Sequence, residues 1–301
     1  MQFNEAAAGF IRYLRFEKRY SAHTVEAYKR NLQQFWACYQ EDYVDLTEVG
    51  QINHHHIRGW LAKIKENNPK VAATTLNHKI ATLSSFFRYA CQQGYAAKNP
   101  VRQLHGVRLS GRLPVAIQES QADKLINESA FGEGFKGFTD RLICELLYST
   151  GMRRQELMTL RETDIAWGQK LIRVLGKGNK ERLIPVSDAL IDELRDYIAA
   201  KKRELECPDR EFVLVLTSGR PLYASYVYRV VKERLREVTT QQKRSPHVLR
   251  HSFATHLLNN GANIQAIKEL LGHSSLAATQ IYTHTDIERL KEIHKTAHPR
   301  G

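Results

Sequence analysis

Cysteine is scarce in this chain and unpatterned. Cys38, Cys91, Cys144 and Cys207 lie 53, 53 and 63 residues apart with no CxxC pair. That spacing supports neither a disulfide framework nor a zinc site and suits a reducing cytoplasm. No apolar run reaches the roughly 18 residues of a membrane span. The opening stretch MQFNEAAAGFIRYLRFEKRY carries charge from Glu5 onward, so it lacks the apolar centre of a secretory signal. No Asp/Glu/His cluster has metal-ligand spacing. The His54-His55-His56 run lacks a fourth ligand and fans out at helical angles, which favours a solvated face. Acidic residues are the last shortage: 32 Asp and Glu stand against 45 Lys and Arg, a formal net charge of +13. A chain that basic points first to nucleic acid and second to an anionic membrane surface.

What is present fits two domains. The 301 residues are 42% apolar, with 11 Phe, 13 Tyr and 3 Trp, enough for a substantial core. The clearest boundary is KNPVRQLHGVRLSGRLP, residues 98–114, with two prolines, two glycines, four basic residues and no acid. We expect a helical domain over 1–107, a basic linker over 108–114 and a second domain over 115–301. Up to Ser110 there are 15 basic and 8 acidic residues, and after it 30 and 24, so both halves are basic, by +7 and +6. Two basic halves joined by a basic linker suit a two-domain clamp on phosphate. The plainer alternative is that surface lysines serve solubility.

The first half reads as all helix. FIRYLRFEK, TVEAYKRNLQQFWACY, HIRGWLAKIKEN and TLNHKIATLSSFFRYACQQG place apolar residues at three- and four-residue spacing. Ser21 is the expected N-cap of the second helix and Gly94 the stop of the last. The second half is mixed. LIRVL (171–175) and RLIPV (182–186) flank a Gly/Asn turn and read as a β-hairpin, with EFVLVLTS (211–218) as the candidate third strand. The fold class expected is mainly α with a small β-hairpin or three-stranded sheet, an all-helical first domain and a mixed α+β second one.

Five constellations in the second half bear chemistry. Arg153 and Arg154 enter a helix just after Gly151, which suits an anion, although a surface ion pair with Glu156 is the ordinary reading of that pattern. Lys177 sits at the hairpin tip, where an exposed turn lysine is the ordinary reading. Ser245-Pro246 is a strong helix start that puts His247 and Arg250 three apart near the positive helix end. His273 follows Gly272, the expected stop of a helix beginning near Asn263. Tyr282 is one of 13 tyrosines and by default a packing residue. Together these residues hold the inventory for metal-free phosphoryl transfer to a tyrosine. Arginines neutralise the equatorial oxygens of the transition state. Tyrosine, with a pKa near 10, needs a cationic pocket or a base. Lysine can protonate a leaving 5′ oxygen, and histidine can shuttle a proton near neutrality.

The second half resembles the tyrosine recombinases of λ-integrase type, most closely their Xer chromosome-dimer-resolution branch. TGMRRQEL is similar to the family's first arginine box, GKGNKERLIPV to its lysine hairpin, and HVLRHSFATHLLNNGANIQAIKELLGHSSLAATQIYTH to its second box. The intervals match too, with 24 residues from Arg153 to Lys177 and 9 from His273 to Tyr282. In the first half, YSAHTVEAYKRNLQQF and TLNHKIATLSSFFRYA resemble the family's helical core-binding domain. The resemblance implies Tyr282 as the nucleophile of a 3′-phosphotyrosyl link and Arg153 and Arg250 as clamps on the scissile phosphate. It implies Lys177 as general acid, His247 in acid/base transfer and His273 as a donor to a phosphate oxygen. One departure is that Arg154 and Gln155 follow the first arginine, where the family has an aliphatic residue and then Ser or Gly. The R-x-x-E-L register favours Arg153, with Arg154 a chemically capable neighbour.

The resemblance further implies a C-shaped clamp on double-stranded DNA, acting in the cytoplasm as a tetramer with itself or a related recombinase. No cofactor or metal is implied, and a division-septum DNA translocase is a candidate partner. The apolar positions Ile287, Leu290 and Ile293 of a C-terminal helix capped by Thr285 or Asp286 would then dock on the next protomer; packing on its own domain is the alternative. A mobile-element integrase is the nearest rival within the chemistry. The core-binding pattern begins within the first ten or so residues, so an extra N-terminal arm-binding domain is not expected. A type IB topoisomerase would share the chemistry without strand exchange. A DNA-binding regulator that had lost catalysis would have no need of Tyr282. A membrane-surface protein is disfavoured, because no helix pairs a basic face with a strongly apolar one.

If both basic halves engage DNA, the log–log dependence of affinity on salt should have a slope more negative than about −5, since roughly 0.9 counterions leave per phosphate contact. A filter-binding or fluorescence titration giving a slope near about −1 would mean that the helical half does not engage.

Overall fold

The computed structural model describes residues 1–104, 106–107, 116–127, 131–176, 181–272 and 284–301. Two compact units result, Met1–Arg112 and Leu113–Gly301. The basic linker expected over 108–114 lies outside the described residues.

The first unit is helical, as its periodicity requires. Helix α1 spans Phe3–Arg12 and runs on as a π-helical turn, Tyr13–Glu17. The apolar pattern FIRYLRFEK starts at Phe10, but the helix begins at Phe3 because Phe3, Ala6, Phe10 and Leu14 form one buried stripe. Helix α2 (Ala22–Asp42) is capped by Ser21, whose Oγ accepts from the Thr24 amide at 3.3 Å. Helix α3 (His54–Asn67) starts at the histidine run. There Asn53 Oδ1 accepts from the His55 amide at 2.9 Å, and His56 Nδ1 accepts from the Asn53 amide at 3.2 Å. His56 thus caps a helix. Helix α4 (Ala73–Gln92) is followed by Gly94 at φ +74°. The core is aromatic: Phe3, Phe10, Phe35, Phe86 and Phe87 are fully buried, and Phe3 stacks on Trp36 with centroids 4.3 Å apart. Asn31 on α2 is held to α4, its Nδ2 donating to Thr82 Oγ1 at 3.0 Å and lying 3.2 Å from His78 Nδ1. Buried amides need such partners.

The second unit carries α5 (Glu119–Asn127), α6 (Gly134–Thr150) and α7 (Arg154–Met158), then β1 (Ile165–Ala166), β2 (Leu171–Leu175) and β3 (Glu181–Pro185). Helices α8 (Asp188–Glu204), α9 (Ala224–Val238), α10 (Pro246–Asn259), α11 (Ile264–Leu271) and α12 (His284–Ala297) follow. Leu142, Ile143, Cys144, Leu146, Leu147 and Tyr148 of α6 are all fully buried, so this helix has no solvent face along its second half. It packs against α5, α8, α9 and α10.

The three strands form one antiparallel sheet in the order β1-β2-β3, with Ile172 opposite Ile184 and Val174 opposite Arg182. The hairpin is where the sequence placed it; its tip, 177–180, lies outside the described residues. The third strand is a correction. It is Ile165–Ala166, paired to Ile172 and Leu171, and not 211–218. That later run makes only isolated bridges, Phe212 to Arg161 and Val215 to Pro221. Val213, Leu214 and Val215 are all buried, so the run has no alternation to offer a sheet edge. Ile165–Ala166 reaches β2 through a short local turn, a smaller closure cost than a strand forty residues away.

Helix α12 gives a second correction, in which of its residues face inward. It packs on α10, α11 and β3 of its own unit. Leu290 and Ala297 are buried in one cluster with Phe253, Leu257, Leu270 and Leu271, and Ile293 lies against it. The inward set runs Leu290, His294, Ala297 rather than Ile287, Leu290, Ile293. Periodicity missed His294 because it reads as polar, yet its Nε2 donates to Ser149 O at 2.9 Å and the ring is buried. Arg300 adds an ion pair, Nε to Glu145 Oε1 at 3.0 Å. Leu290→Ala should therefore cost the second unit about 2–5 kcal/mol, and Ile287→Ala well under that. Urea unfolding of the two variants checks it; equal and small losses would mean that α12 contributes nothing to its own unit.

Candidate active site

The site begins with a glycine turn. Helix α6 ends at Thr150, whose Oγ1 accepts from the Met152 amide at 3.2 Å, and Gly151 follows in the left-handed region at φ +59°. A Cβ on Gly151 would lie 2.5 Å from Phe253 Cδ1 and 3.0 Å from Leu271 Cδ2. Only glycine lets this turn press against α10 and α11. Arg153 is then the residue that enters α7. Its amide donates to Glu156 Oε2 at 2.7 Å and its Nη1 to Glu156 Oε1 at 2.9 Å. Arg154 leaves in another direction, its Nη1 toward Ala224 O at 3.4 Å.

Helix α10 supplies the second arginine. Ser245 holds the N-cap position without a side-chain cap bond, and Pro246 opens the helix. His247 is exposed on the first turn. Arg250, one turn on, points inward and is 9% exposed, with Nη1 donating to Gly151 O at 2.6 Å and Nη2 to Leu271 O at 2.5 Å. Among the described hydrogen bonds His247 makes none to this cluster.

A third guanidinium stands beside these two. Arg182, on β3, is buried, with Nη1 and Nη2 each 2.8 Å from an oxygen of Glu156 and Nε donating to Leu270 O at 2.7 Å. Sequence reasoning offered Glu156 as an ion-pair partner for the arginines beside it, which Arg153 bears out at 2.9 Å, but did not single out Arg182. A signal existed: Arg182 shares strand parity with Ile184, so a charged side chain sits at an inward position of an apolar hairpin.

The electrostatics are unbalanced. Burial alone would raise the Glu156 carboxyl, but the guanidiniums of Arg182 and Arg153 override it and hold it at about 2. Burial, and then the charges of Arg153 and Arg182, push Arg250 down to about 9, still protonated at neutral pH. Three guanidiniums thus face one carboxylate. An anion among them would relieve the repulsion that Arg250 feels. Each guanidinium has five N–H donors, and the two carbonyl bonds use two of Arg250's. Such a place suits a phosphate diester.

Two matches give this site its setting. Residues 116–289 match the Phage integrase family, and residues 7–94 match the Phage integrase, N-terminal SAM-like domain. The chain is a tyrosine recombinase of the phage integrase family. As such it is a site-specific recombinase, an enzyme that cleaves and rejoins DNA. It is 33% identical over 300 residues to tyrosine recombinase XerD of Listeria monocytogenes serotype 4b (strain F2365), covering 99% of this chain and 100% of the relative. It is 31% identical over 314 residues to tyrosine recombinase XerC of Chlorobaculum parvum, covering 96% and 93%. In fold it is similar to the XerH site-specific recombinase bound to palindromic difH substrate, at TM-score 0.70 and 21% identity over 95% of this chain and 82% of that one. The Tn1549 transposon integrase in complex with transposon right end DNA is similar at TM-score 0.69 and 20% identity, covering 96% and 99%.

Of the six site residues expected from the recombinase resemblance, Arg153 and Arg250 come together and His247 lies on the helix that carries Arg250. Lys177, His273 and Tyr282 lie outside the described residues. Their flanks are described: β2 ends at Leu175 and β3 begins at Glu181, α11 closes on Gly272 at φ +64°, and α12 begins at His284. Among the described residues no helix is long and apolar enough to cross a membrane.

The depressed carboxyl has a pH signature. A group whose folded pKa lies below its ordinary 4.5 adds stability above that value and loses it as pH falls toward about 2. The wild-type advantage over Glu156→Gln, roughly 3 kcal/mol by linkage, should be full from neutrality to about pH 5 and shrink only below that. Denaturant unfolding across pH measures it. An advantage already gone at pH 6 would mean that the guanidiniums do not hold this carboxylate.

Proposed function

We propose that the recombinase works through a 3′-phosphotyrosyl intermediate with Tyr282 as nucleophile. Tyr282 Oη attacks the scissile phosphorus, the P–O5′ bond breaks, and the 3′ phosphate passes to the tyrosine. The phenolic proton goes to His247 or its water, and Lys177 protonates the departing 5′ oxygen. Arg153 and Arg250 hold the non-bridging oxygens, and His273 donates to one of them. Attack by a 5′ hydroxyl of the partner duplex reverses these steps and seals the exchanged strand. One ester replaces another at each step, so no external energy source is needed. The observation that carries this reading is the surplus of guanidinium charge around Arg250, which calls for an anion where the phosphate would lie.

The cellular role proposed is resolution of chromosome dimers at cell division, in the cytoplasm. The two basic halves would close around a recombination site, and the active assembly would be a tetramer of this chain alone or with a related recombinase. Support comes from the Xer-like boxes and from relatives named XerC and XerD that match nearly end to end. The same chemistry in a mobile-element integrase is the second reading, and the fold shared with the Tn1549 integrase is compatible with it.

Trapping on a nicked suicide substrate tests the chemistry. Tyr282→Phe should abolish the denaturant-resistant adduct while leaving DNA affinity nearly intact, because it removes one oxygen and no positive charge. An adduct that persists in Tyr282→Phe would overturn the assignment. Arg250→Ala should reduce cleavage by about a hundredfold or more, since the lost contact acts on transition-state charge. Arg153→Ala should follow it, and Arg154→Ala should not; the reverse order would put the clamp one residue later.

A further inference from the structure

We infer that Arg182 is a positioning residue for cleavage: it holds Arg153 and Arg250 in register by bracing both Glu156 and the last turn of α11. This rests on the reading of Arg153 and Arg250 as the phosphate clamp. Three consecutive carbonyls at the end of α11 take three guanidiniums. Leu270 O accepts from Arg182 at 2.7 Å, Leu271 O from Arg250 at 2.5 Å, and Gly272 O from Arg153 at 3.4 Å. The last carbonyls of a helix have no partners within it and carry the negative end of its dipole. Here they anchor cations that would otherwise repel one another.

Arg182 braces both sides of this arrangement. Its fork occupies both oxygens of Glu156, the carboxylate that also binds Arg153 through amide and side chain. Its Nε occupies the carbonyl next to the one that holds Arg250. Without the fork, Glu156 would be free to take Arg153 with both oxygens and draw it inward, away from a bound phosphate. Without the Nε bond, the turn that fixes Arg250 loses a strut. Lysine cannot substitute, because one ammonium cannot present a planar fork to Glu156 and a third donor along the chain axis. Room for the fork depends on Gly272, where a Cβ would lie 3.0 Å from Arg182 Cδ and 3.4 Å from its Nη1. Gly272 is therefore required both for its φ of +64° and for the space beside Arg182.

The rival account is that Arg182 merely neutralises a buried carboxylate and so serves folding. Substrate chemistry separates the two. A methylphosphonate at the scissile position replaces one charged oxygen with methyl, so the clamp has less charge to neutralise. Single-turnover cleavage at saturating DNA is measured for the full-length protein, Arg182→Lys and Gly272→Ala on phosphodiester and methylphosphonate duplexes. On the phosphodiester both variants should cleave about a hundredfold slower, with affinity for uncleaved DNA within about twofold of the parent, because a transition-state interaction is what is lost. On the methylphosphonate the deficit should shrink at least about tenfold. An equal deficit on both substrates, or parental rates on the phosphodiester, would overturn the inference.

Should Arg182→Lys fail to fold, Gly272→Ala keeps every charge and carries the comparison. Should the parent leave the methylphosphonate uncut, Arg182→Lys is repeated in an Arg153→Lys background on the phosphodiester. A residue acting through the clamp then adds little further loss, whereas a residue serving folding alone adds its full deficit. Tyr282→Phe in the same assay reports separately on the proposed chemistry. An adduct there overturns that chemistry, while no adduct there with a substrate-independent Arg182 deficit overturns only the positioning role.

Discussion

A carboxylate buried among guanidiniums sets the terms for everything around it. Glu156 and Arg182 are each almost wholly out of water, and desolvating two such charges costs several kcal/mol per ion before any attraction is counted. The bidentate pair and the further bonds from Arg153 and to Leu270 O offset that cost. Because one carboxylate serves three arginines, the neutralisation is incomplete, and Arg250 is left to feel the difference. A second carboxylate would cancel the positive surplus that makes the cluster suit an anion. With none, the three guanidiniums could not be brought together in a folded protein.

The fold's task is to bring four remote pieces to this carboxylate. The turn after α6, the hairpin strand β3, the start of α10 and the end of α11 are far apart in the chain and meet because α6 is buried along its second half and α10 packs against it. Gly151 and Gly272 let these pieces approach, each at positive φ and each with a side chain 2.5–3.0 Å from where a Cβ would lie. In the first unit the aromatic core and the buried Asn31–Thr82 link sit on helices that periodicity alone makes legible.

The parts legible in the sequence were those governed by local rules. Ser21 as a cap, the Gly94 and Gly272 stops, the Asn263 start and the hairpin all follow from what a few neighbouring residues can do. What the sequence hid was set by tertiary context. The stripe of α1 begins at Phe3 because that ring packs on Trp36 and Phe86, partners remote in the chain that local periodicity does not reveal. Residues 211–218 look like a strand because they are apolar, yet they are buried without alternation. Leu290 was recognised as apolar, but the helix rotates to bury His294, a choice that Ser149 O makes possible. Glu156 was visible in its box and Arg182 in its strand. Their partnership, 26 residues apart, could be found only by asking why an arginine occupies an inward strand position.

On the proposed mechanism, the use of arginine three times over in one cluster also fits the chemistry of a symmetric exchange. When each step trades one phosphate ester for another, the substrate brings no large driving force, and the barrier must be lowered by groups already in place. A donor that has to reorient during the reaction adds its reorganisation to that barrier. Guanidiniums pinned by backbone carbonyls do not reorient, because the carbonyls belong to a helix end closed by a left-handed glycine. Five donors on a planar fork let Arg153 and Arg250 bond to protein and keep N–H groups to spare, while Arg182 spends its fork on Glu156. An ammonium anchored by the same carbonyls would have spent its donors on them. The helix end that closes on Gly272 therefore does for the cations what Glu156 cannot do alone: it holds them without consuming their charge.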